Sequence, residues 1–296
     1  MSRLTSLSDA ARLINDGDHV ALSGFSIARN AMALAHELVR RDVRGLTISA
    51  CILGLEADLL VGAGCVGRVI YGGGSLDRFG QLGRVNEAVE RGRIEVEYMS
   101  SLAVTFRYLA GSLGLPYIPI RSLLASDLVA PLVAAGVARE DRDPFGGEQV
   151  VLLRALEPDA AILHAQVADA DGNTRVLGPR WDNDEAVAAA KRVIVLAEEV
   201  VEPIEIRRSP ELTLVPAFRV TALVHVPFGA HPTAVYRRYD YDAEHLALYA
   251  DATRSQRTFD EYLARYVRGT DHAGYLAAIG GAAKLATLTA DPGLGY

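Results

Sequence analysis

Residues 16–25 read Asp-Gly-Asp-His-Val-Ala-Leu-Ser-Gly-Phe, and this stretch decides the fold that we expect of the chain. Its first three residues are a turn signal, and the apolar run over 19–23 predicts a short buried strand that ends at Gly24. Apolar residues recur at helical spacing on both sides of it, over 7–14 and over 32–40. A buried strand between two helical segments is typical of a parallel sheet that is covered by helices.

The alternation of short apolar runs and helical segments continues along the rest of the chain. It predicts strands at 46–50, 68–71, 94–98, 150–153, 160–164, 193–197 and 222–226, and helices at 56–63, 102–113 and 185–192. Strands that are almost continuously apolar are buried on both faces. We therefore predict an α/β fold with an open, mainly parallel sheet and helices on both of its faces.

Two later segments depart from this alternation. From about residue 243 to residue 288 the pattern is mainly helical, which predicts a C-terminal helical layer. The stretch over 121–147 carries Pro and Gly without a clear period, and we predict an irregular insertion there. We expect residues 1–296 to form a single domain, because this length supports one large core and the sequence shows no internal repeat.

Composition and charge argue against several classes of function. The net charge is -7, whereas nucleic-acid binding requires a basic face. The sequence has no run of 18 or more apolar residues and no apolar leader, so we expect a cytoplasmic protein that does not enter a membrane. Cys51 and Cys65 are too few for a disulfide framework or a four-ligand zinc site, and no His-Glu-x-x-His pattern occurs. We predict no metal site.

Two glycine-bearing segments follow predicted strands, at the position where open α/β sheets bind their ligands. They are residues 23–26 (Ser-Gly-Phe-Ser) and residues 72–75 (Gly-Gly-Gly-Ser). Small residues let a ligand approach the backbone and let main-chain N–H groups point at an anion. A tight strand-to-helix turn explains the first segment equally well. In the second, the hydroxyl of Ser75 suits a hydrogen bond to a carboxylate or a thioester oxygen.

A third segment, residues 164–173, ends in the turn signal Asp-Gly-Asn. Asp169 and Asp171 form either a carboxylate pair or, as is commoner, bonds to their own turn backbone. His164 ends an apolar run, where a hydrogen-bonded core histidine is commoner than a base. The sequence lacks a P-loop ending, a dinucleotide fingerprint and a Gly-x-Ser-x-Gly elbow. These features favour a polypeptide that shapes a pocket over one that performs a covalent step.

Taken together, the segments resemble the α subunits of class I CoA-transferases, and specifically the glutaconate CoA-transferase branch. The opening strand and glycine turn over 16–25 carry the first part of this resemblance. The remaining motifs follow in the family's order at 110–119, 121–128, 143–148, 156–161, 164–173, 226–233 and 239–242. The resemblance covers about residues 5 to 265, and its specificity comes from the order of the motifs.

The resemblance implies a β-type partner subunit in an α2β2 or larger assembly, with the active site between the two chains. In this family the attack on an acyl-CoA thioester is made by a glutamate of the β-type chain. An acyl-glutamyl anhydride and then a glutamyl-CoA thioester carry CoA to a carboxylic acid. CoA thioester is thus a substrate, and no permanently bound cofactor is implied.

The resemblance also implies that this chain holds no catalytic nucleophile. Glu56 and Glu148 lie at a predicted helix start and in a predicted loop, unlike the family's nucleophile. This chain is instead expected to form the acid-binding side of the pocket. The residues expected to do so are Gly24, Phe25, Gly73, Gly74, Ser75 and Ser101.

Two other functions fit the same fold. Steroid-ring-cleaving hydrolases of this family use a glutamate of the α-type chain, and that glutamate aligns near Ser100 and Ser101 here, which disfavours hydrolysis. A ligand-sensing domain of a regulator is the weaker alternative, because such domains follow a DNA-binding segment and only a short leader precedes Asp16. The sequence leaves the acid open among glutaconate, a 3-oxoacid, an aromatic acid and a steroid fragment.

Overall fold

The computed structural model describes residues 3–291 and 293–294, and an eight-stranded sheet forms its centre. The strands are, in chain order, β1 (His19–Leu22), β2 (Leu46–Ala50), β3 (Val66–Tyr71), β4 (Glu95–Tyr98), β5 (Tyr117–Ile120), β6 (Ala138–Arg142), β7 (Gln149–Arg154), β8 (Ala160–Asp169), β9 (Thr174–Arg175), β10 (Arg192–Val201) and β11 (Ala222–His225). The main sheet has the order β11-β10-β8-β1-β2-β3-β4, and all of these neighbours are parallel. The short β9 pairs antiparallel with β8.

The central strand β1 shows why the sheet is covered on both faces. Val20 pairs with Ile48 of β2 on one side and with Ala160 of β8 on the other. Side chains alternate along a strand, so Val20 packs in one core cluster and Ala21 in another. Both faces of β1 are therefore apolar, as the unbroken apolar run of its sequence predicts.

Helices cover the two faces. They are α1 (Leu7–Ala11), α2 (Met32–Arg40), α3 (Leu55–Gly62), α4 (Gly83–Glu90), α5 (Ser101–Ser112), α6 (Val129–Ala134), α7 (Asn183–Ala189), α8 (Pro203–Arg207), α9 (Ala243–Ala252), α10 (Gln256–Leu263), α11 (His272–Ala278) and α12 (Gly281–Leu288). Helices α1–α4 and α9–α11 pack in the core cluster of one face, and α5 and α7 pack in that of the other. The predicted fold class, an open and mainly parallel sheet with helices on both faces, is confirmed. None of the described helices has both the length and the apolar character needed to cross a bilayer.

The stretch over 121–147 is not irregular, and the prediction of an irregular insertion is wrong. It contains α6 and β6, and β6 pairs with β7 in a second, antiparallel sheet of order β5-β7-β6. This small sheet packs against the same face as α5 and α7. Strand β6 reads Ala-Arg-Glu-Asp-Arg and is mostly exposed at the sheet edge, so it has no apolar period to recognise.

The order of the strands reverses direction at β1. The chain runs from β1 outward to β2, β3 and β4 on one side, and β8, β10 and β11 lie on the other. The loops that leave β1 and its neighbours therefore diverge, which is where open α/β sheets bind ligands.

Candidate active site at the strand ends

The loop after β1 is built around a buried carboxylate. Gly24 N–H donates to Glu56 Oε1 at 3.0 Å, and Ala31 N–H donates to Glu56 Oε2 at 2.6 Å. A Cβ on Gly24 would lie 2.5 Å from Glu56 Oε1, so only glycine fits at this position. The anion that the N–H of Gly24 meets is thus the protein's own glutamate, and this N–H is not available to a substrate.

Burial decides the ionisation of Glu56. Glu56 is 1% exposed, and burial raises the pKa of its carboxyl from the ordinary 4.5 to about 7. The hydrogen bonds from the two N–H groups stabilise the carboxylate and lower this pKa. They do not offset the larger rise caused by the loss of hydration. Glu56 therefore holds the loop in place and is not exposed for attack on a thioester.

Phe25 presents a half-buried ring beside the only tryptophan of the chain. The ring centroids of Phe25 and Trp181 are 4.8 Å apart, and the rings are nearly parallel at 13°. The guanidinium carbon of Arg29 lies 4.8 Å from the centroid of the Trp181 ring. The main-chain N–H of Phe25 donates to Ala28 O at 2.9 Å, so this N–H is used within the loop.

Ser26 joins the loop after β1 to the glycine loop after β3. Its hydroxyl donates to Ser75 O at 3.1 Å and lies 3.2 Å from Ser75 Oγ. Ser26 has a φ of 53°, a left-handed conformation that is uncommon for a residue other than glycine. Ser75 Oγ also accepts from the N–H of Asp77 at 3.2 Å. The structure thus brings the two predicted segments together at a pair of hydroxyl groups.

The glycines of residues 72–74 are explained by the protein's own backbone. A Cβ on Gly72 would lie 2.3 Å from the N atom of Ser101, and a Cβ on Gly74 would lie 2.6 Å from Leu82. Gly73 O accepts from the N–H of Leu53 at 2.8 Å, which continues the pairing of β2 with β3. The close approach that three glycines predict is therefore made by neighbouring segments of this chain. Gly73, Gly74 and Ser75 themselves are partly exposed.

Ser101 is the first residue of α5, which starts where β4 ends. The hydroxyl of Ser100 caps this helix by accepting from the N–H of Ala103 at 3.2 Å. A Cβ on Gly72 would collide with the backbone of Ser101, so the start of α5 lies against Gly72. Ser101 is thus next to the glycine loop at Gly72, and Ser75 contacts the loop after β1 through Ser26. Gly24, in contrast, is buried against Glu56 and Asn30.

The third predicted segment is structural. His164 is buried, with Nε2 at 2.6 Å from Glu198 Oε1. The hydroxyl of Tyr239 donates to that same oxygen at 2.6 Å. Asp169 accepts from the N–H groups of Gly172 and Asn173 at 3.0 and 2.9 Å, which is the turn geometry expected of Asp-Gly-Asn. A catalytic carboxylate pair is therefore not formed here.

Several residues near these loops have no sequence signal that marks them as part of a site. Asp182 Oδ2 accepts from the N–H of Cys51 at 2.9 Å, and burial raises the pKa values of both the Cys51 thiol and the Asp182 carboxyl. Cys51 is thus held as a thiol and does not provide a thiolate nucleophile. Within residues 3–291 and 293–294, no group of three or more His, Cys, Asp or Glu side chains is arranged to hold a metal ion.

Comparisons with known proteins give the context for this geometry. A protein-family model described as Coenzyme A transferase matches residues 4–225. The chain is 33% identical over 320 residues to the α-type subunit of glutaconate CoA-transferase of Acidaminococcus fermentans, covering 100% of this chain and 97% of that protein. The crystal structure of the A. fermentans enzyme superimposes with a TM-score of 0.94 at 32% identity, covering 100% of this chain and 98% of that one.

Two further relatives broaden the comparison. An uncharacterized protein of Archaeoglobus fulgidus is 37% identical over 282 residues, which cover 94% of this chain. This chain spans only 62% of that protein's length. The IpdA subunit of a cholesterol ring-cleaving hydrolase of Mycobacterium tuberculosis is 32% identical over 285 residues, covering 93% of this chain and 96% of that protein.

Proposed function

The chain belongs to the coenzyme A transferase family, and on that premise we propose that it is the α-type subunit of a two-subunit enzyme that transfers CoA from an acyl-CoA to a carboxylic acid. The observation that carries the proposal is the full-length similarity to the α-type chain of glutaconate CoA-transferase in both sequence and fold. The arrangement of hydroxyl groups, an aromatic ring and glycine loops at the strand ends is consistent with a pocket for an acid.

The reaction requires a carboxylate nucleophile, and neither Glu56 nor Glu198 offers one. Both oxygens of Glu56 accept main-chain hydrogen bonds. Glu198 is buried and accepts from His164, Tyr239 and the N–H of Phe228. A nucleophile must reach the thioester carbonyl, so we assign it to a glutamate of a β-type partner subunit.

The transfer then proceeds in two symmetrical halves. The partner's carboxylate attacks the acyl-CoA carbonyl, which breaks the C–S bond and gives an acyl-glutamyl anhydride and the CoA thiolate. The thiolate attacks the glutamyl carbonyl, which releases the first acid and leaves a glutamyl-CoA thioester. The acceptor carboxylate repeats these steps in reverse and leaves with CoA. A neutral pocket that excludes water strengthens a carboxylate nucleophile and protects the anhydride from hydrolysis.

In this scheme the chain supplies the acid-binding half of the pocket. Ser75 donates its hydroxyl hydrogen to a carboxylate or thioester oxygen. Ser101 lies against Gly72 at the start of α5, where main-chain N–H groups favour negative charge. Phe25 contacts the carbon chain. Gly24, Gly73 and Gly74 are assigned a role in shaping the pocket through their close packing.

The experiment that tests the proposal compares the two polypeptides apart and together. The chain, its β-type partner and the co-expressed pair are each given an acyl-CoA and a panel of acids, and acyl-CoA products are separated by chromatography. We expect transfer only by the pair, with parallel lines in double-reciprocal plots because the mechanism is ping-pong. Turnover of thioesters by this chain alone contradicts the proposal.

The ring-cleaving hydrolase is the second candidate, and its support is the similarity to the Mycobacterium tuberculosis protein. By the resemblance of the sequences, that enzyme type's glutamate falls near Ser100 and Ser101, and serine at this place favours transfer over hydrolysis. Water replaces the acceptor acid in hydrolysis. Product formation from a cyclic acyl-CoA in the absence of any acceptor acid distinguishes this function from transfer.

We further propose that the enzyme is an α2β2 or larger assembly. We also propose that it is located in the cytoplasm, because its substrates are CoA thioesters. The similarity to a protein that is named as one of two kinds of subunit supports a second polypeptide. Light scattering of the co-expressed pair measures the stoichiometry, and a mass equal to that of this chain alone contradicts the assembly.

A further inference from the structure

Phe25 and Trp181 form an aromatic pair at the loop after β1, the loop that also carries Ser26. The two rings are stacked at 4.8 Å, and each is only partly buried, so part of each faces solvent. Phe25 directly follows Gly24 in the loop after β1 and precedes Ser26, whose hydroxyl contacts Ser75. The aromatic pair thus begins one residue before the serine that joins the loop after β1 to Ser75.

The segment that carries Trp181 is fixed to the sheet by hydrogen bonds on several sides. Asp182 accepts from the N–H of Cys51 just after β2, and Asn183 Nδ2 donates to Ser23 O just after β1 at 3.3 Å. Arg29 Nη2 donates to Pro179 O at 2.8 Å and to Asn183 Oδ1 at 3.1 Å. The residues on both sides of Trp181 are therefore tied to the ends of β1 and β2, and its ring packs between Phe25 and Arg29.

Arg29 does not make this surface cationic. It is 2% exposed, its Nη1 donates to His164 O at 3.2 Å, and its Nη2 makes the two bonds to residues 179 and 183. Its guanidinium also lies 4.8 Å from the Trp181 ring centroid. The buried positive charge of Arg29 thus packs against the Trp181 ring inside the protein. The exposed part of the ring pair is apolar and suits contact with the carbon atoms of a bound molecule.

We propose that Trp181 is a specificity-determining residue: with Phe25 it forms an aromatic wall that contacts the carbon chain of the acid beyond its reacting carboxylate. This inference rests on the proposed transferase function. The inferred substrates are acids with an apolar or aromatic chain. A second carboxylate at this wall would lose its hydration without gaining a hydrogen bond or an ion pair.

The test uses the co-expressed pair with one acyl-CoA donor and three acceptors, namely phenylacetate, acetate and succinate. Acetate has no chain to reach the wall, and succinate carries a second charge. The unmodified pair should use phenylacetate in preference to succinate. Trp181→Ala should lower kcat/KM for phenylacetate about tenfold or more and for acetate less than about threefold, as expected for a lost apolar contact.

Trp181→Phe is the matched control, because it keeps an aromatic ring against Phe25 and should retain phenylacetate activity within about threefold. Equal losses with phenylacetate and acetate in Trp181→Ala would show that Trp181 only holds the loop, and no loss with either would place it outside the site. A preference for succinate also overturns the inference. Transfer to acetate but not to phenylacetate by the unmodified pair rejects the wall yet retains the proposed function, whereas no transfer to any acid rejects the function itself.

Discussion

At the scale of the residue, Glu56 is the side chain with the most measurable consequence. Burial raises its pKa to about 7, above the ordinary 4.5. Between these two pH values the folded chain holds a proton that the unfolded chain has lost. The contribution of Glu56 to the free energy of unfolding is therefore fully present below about pH 4.5. It is lost as the pH rises from about 4.5 to about 7.

Glu56→Gln removes this titration. We expect the free energy of unfolding of the variant to vary less between pH 4.5 and 7 than that of the unmodified chain, by an amount on the order of 3 kcal/mol. Urea unfolding at a series of pH values measures it. Glu148→Gln is the matched control, since Glu148 is exposed and its side chain pairs with Arg121. Identical pH slopes for Glu56→Gln and the unmodified chain would contradict the burial argument.

Ser75 is the residue whose hydroxyl we place on the substrate. Ser75→Ala in the pair should lower kcat/KM by the equivalent of about 1–3 kcal/mol, the range of one polar donor. The hydroxyl of Ser26 acts through that of Ser75. Adding Ser26→Ala to a chain that already carries Ser75→Ala should therefore lower kcat/KM little further. An unchanged kcat/KM in Ser75→Ala removes this residue from the site, and additive losses in the double variant separate Ser26 from it.

At the scale of the element, the loop after β3 and the start of α5 can pack together because residue 72 is a glycine. Gly72→Ala places a Cβ 2.3 Å from the backbone of Ser101, and backbone cannot move aside cheaply. We expect a loss of about 1–3 kcal/mol in the free energy of unfolding. Gly67→Ala within β3 is the control, because its Cβ would meet atoms at an ordinary 3.6 Å. Equal stabilities of the two variants, measured by urea unfolding, would contradict the close contact.

The elements also show what a sequence can and cannot predict. β1 and the glycine loops are recognisable because apolar runs end at glycine, and the structure places both loops at the same end of the sheet. β6 is not recognisable, since a charged edge strand is specified by its partner β7. β8 and β10 extend to Asp169 and Val201, beyond the predicted ends, because polar residues interrupt their apolar pattern.

The same limit applies to the site. The glycines of residues 72–74 predict a close approach, but the partner, Ser101, is visible only once the chain is folded. No pattern in the sequence around Trp181 marks it as a site residue. Its ring packs against Phe25 and Arg29, which lie far away in the sequence, so the contact is visible only in the folded chain. The order of the motifs nevertheless identifies the family, which the family model and the superposition confirm.

At the scale of the whole molecule, we propose that this chain forms half of an active site. In this proposal its strand ends contribute hydroxyl groups, an aromatic wall and glycine loops, while Glu56 and Glu198 are buried and hydrogen-bonded within the fold. The attacking carboxylate is then expected on a second polypeptide.

Chemical trapping measures this division of labour directly. The co-expressed pair is incubated with acyl-CoA and borohydride, which reduces a glutamyl-CoA thioester to an alcohol, and both chains are digested and analysed by mass spectrometry. We expect one modified glutamate on the β-type partner and none on this chain. A modified glutamate on this chain would show that the nucleophile lies here and not on the partner.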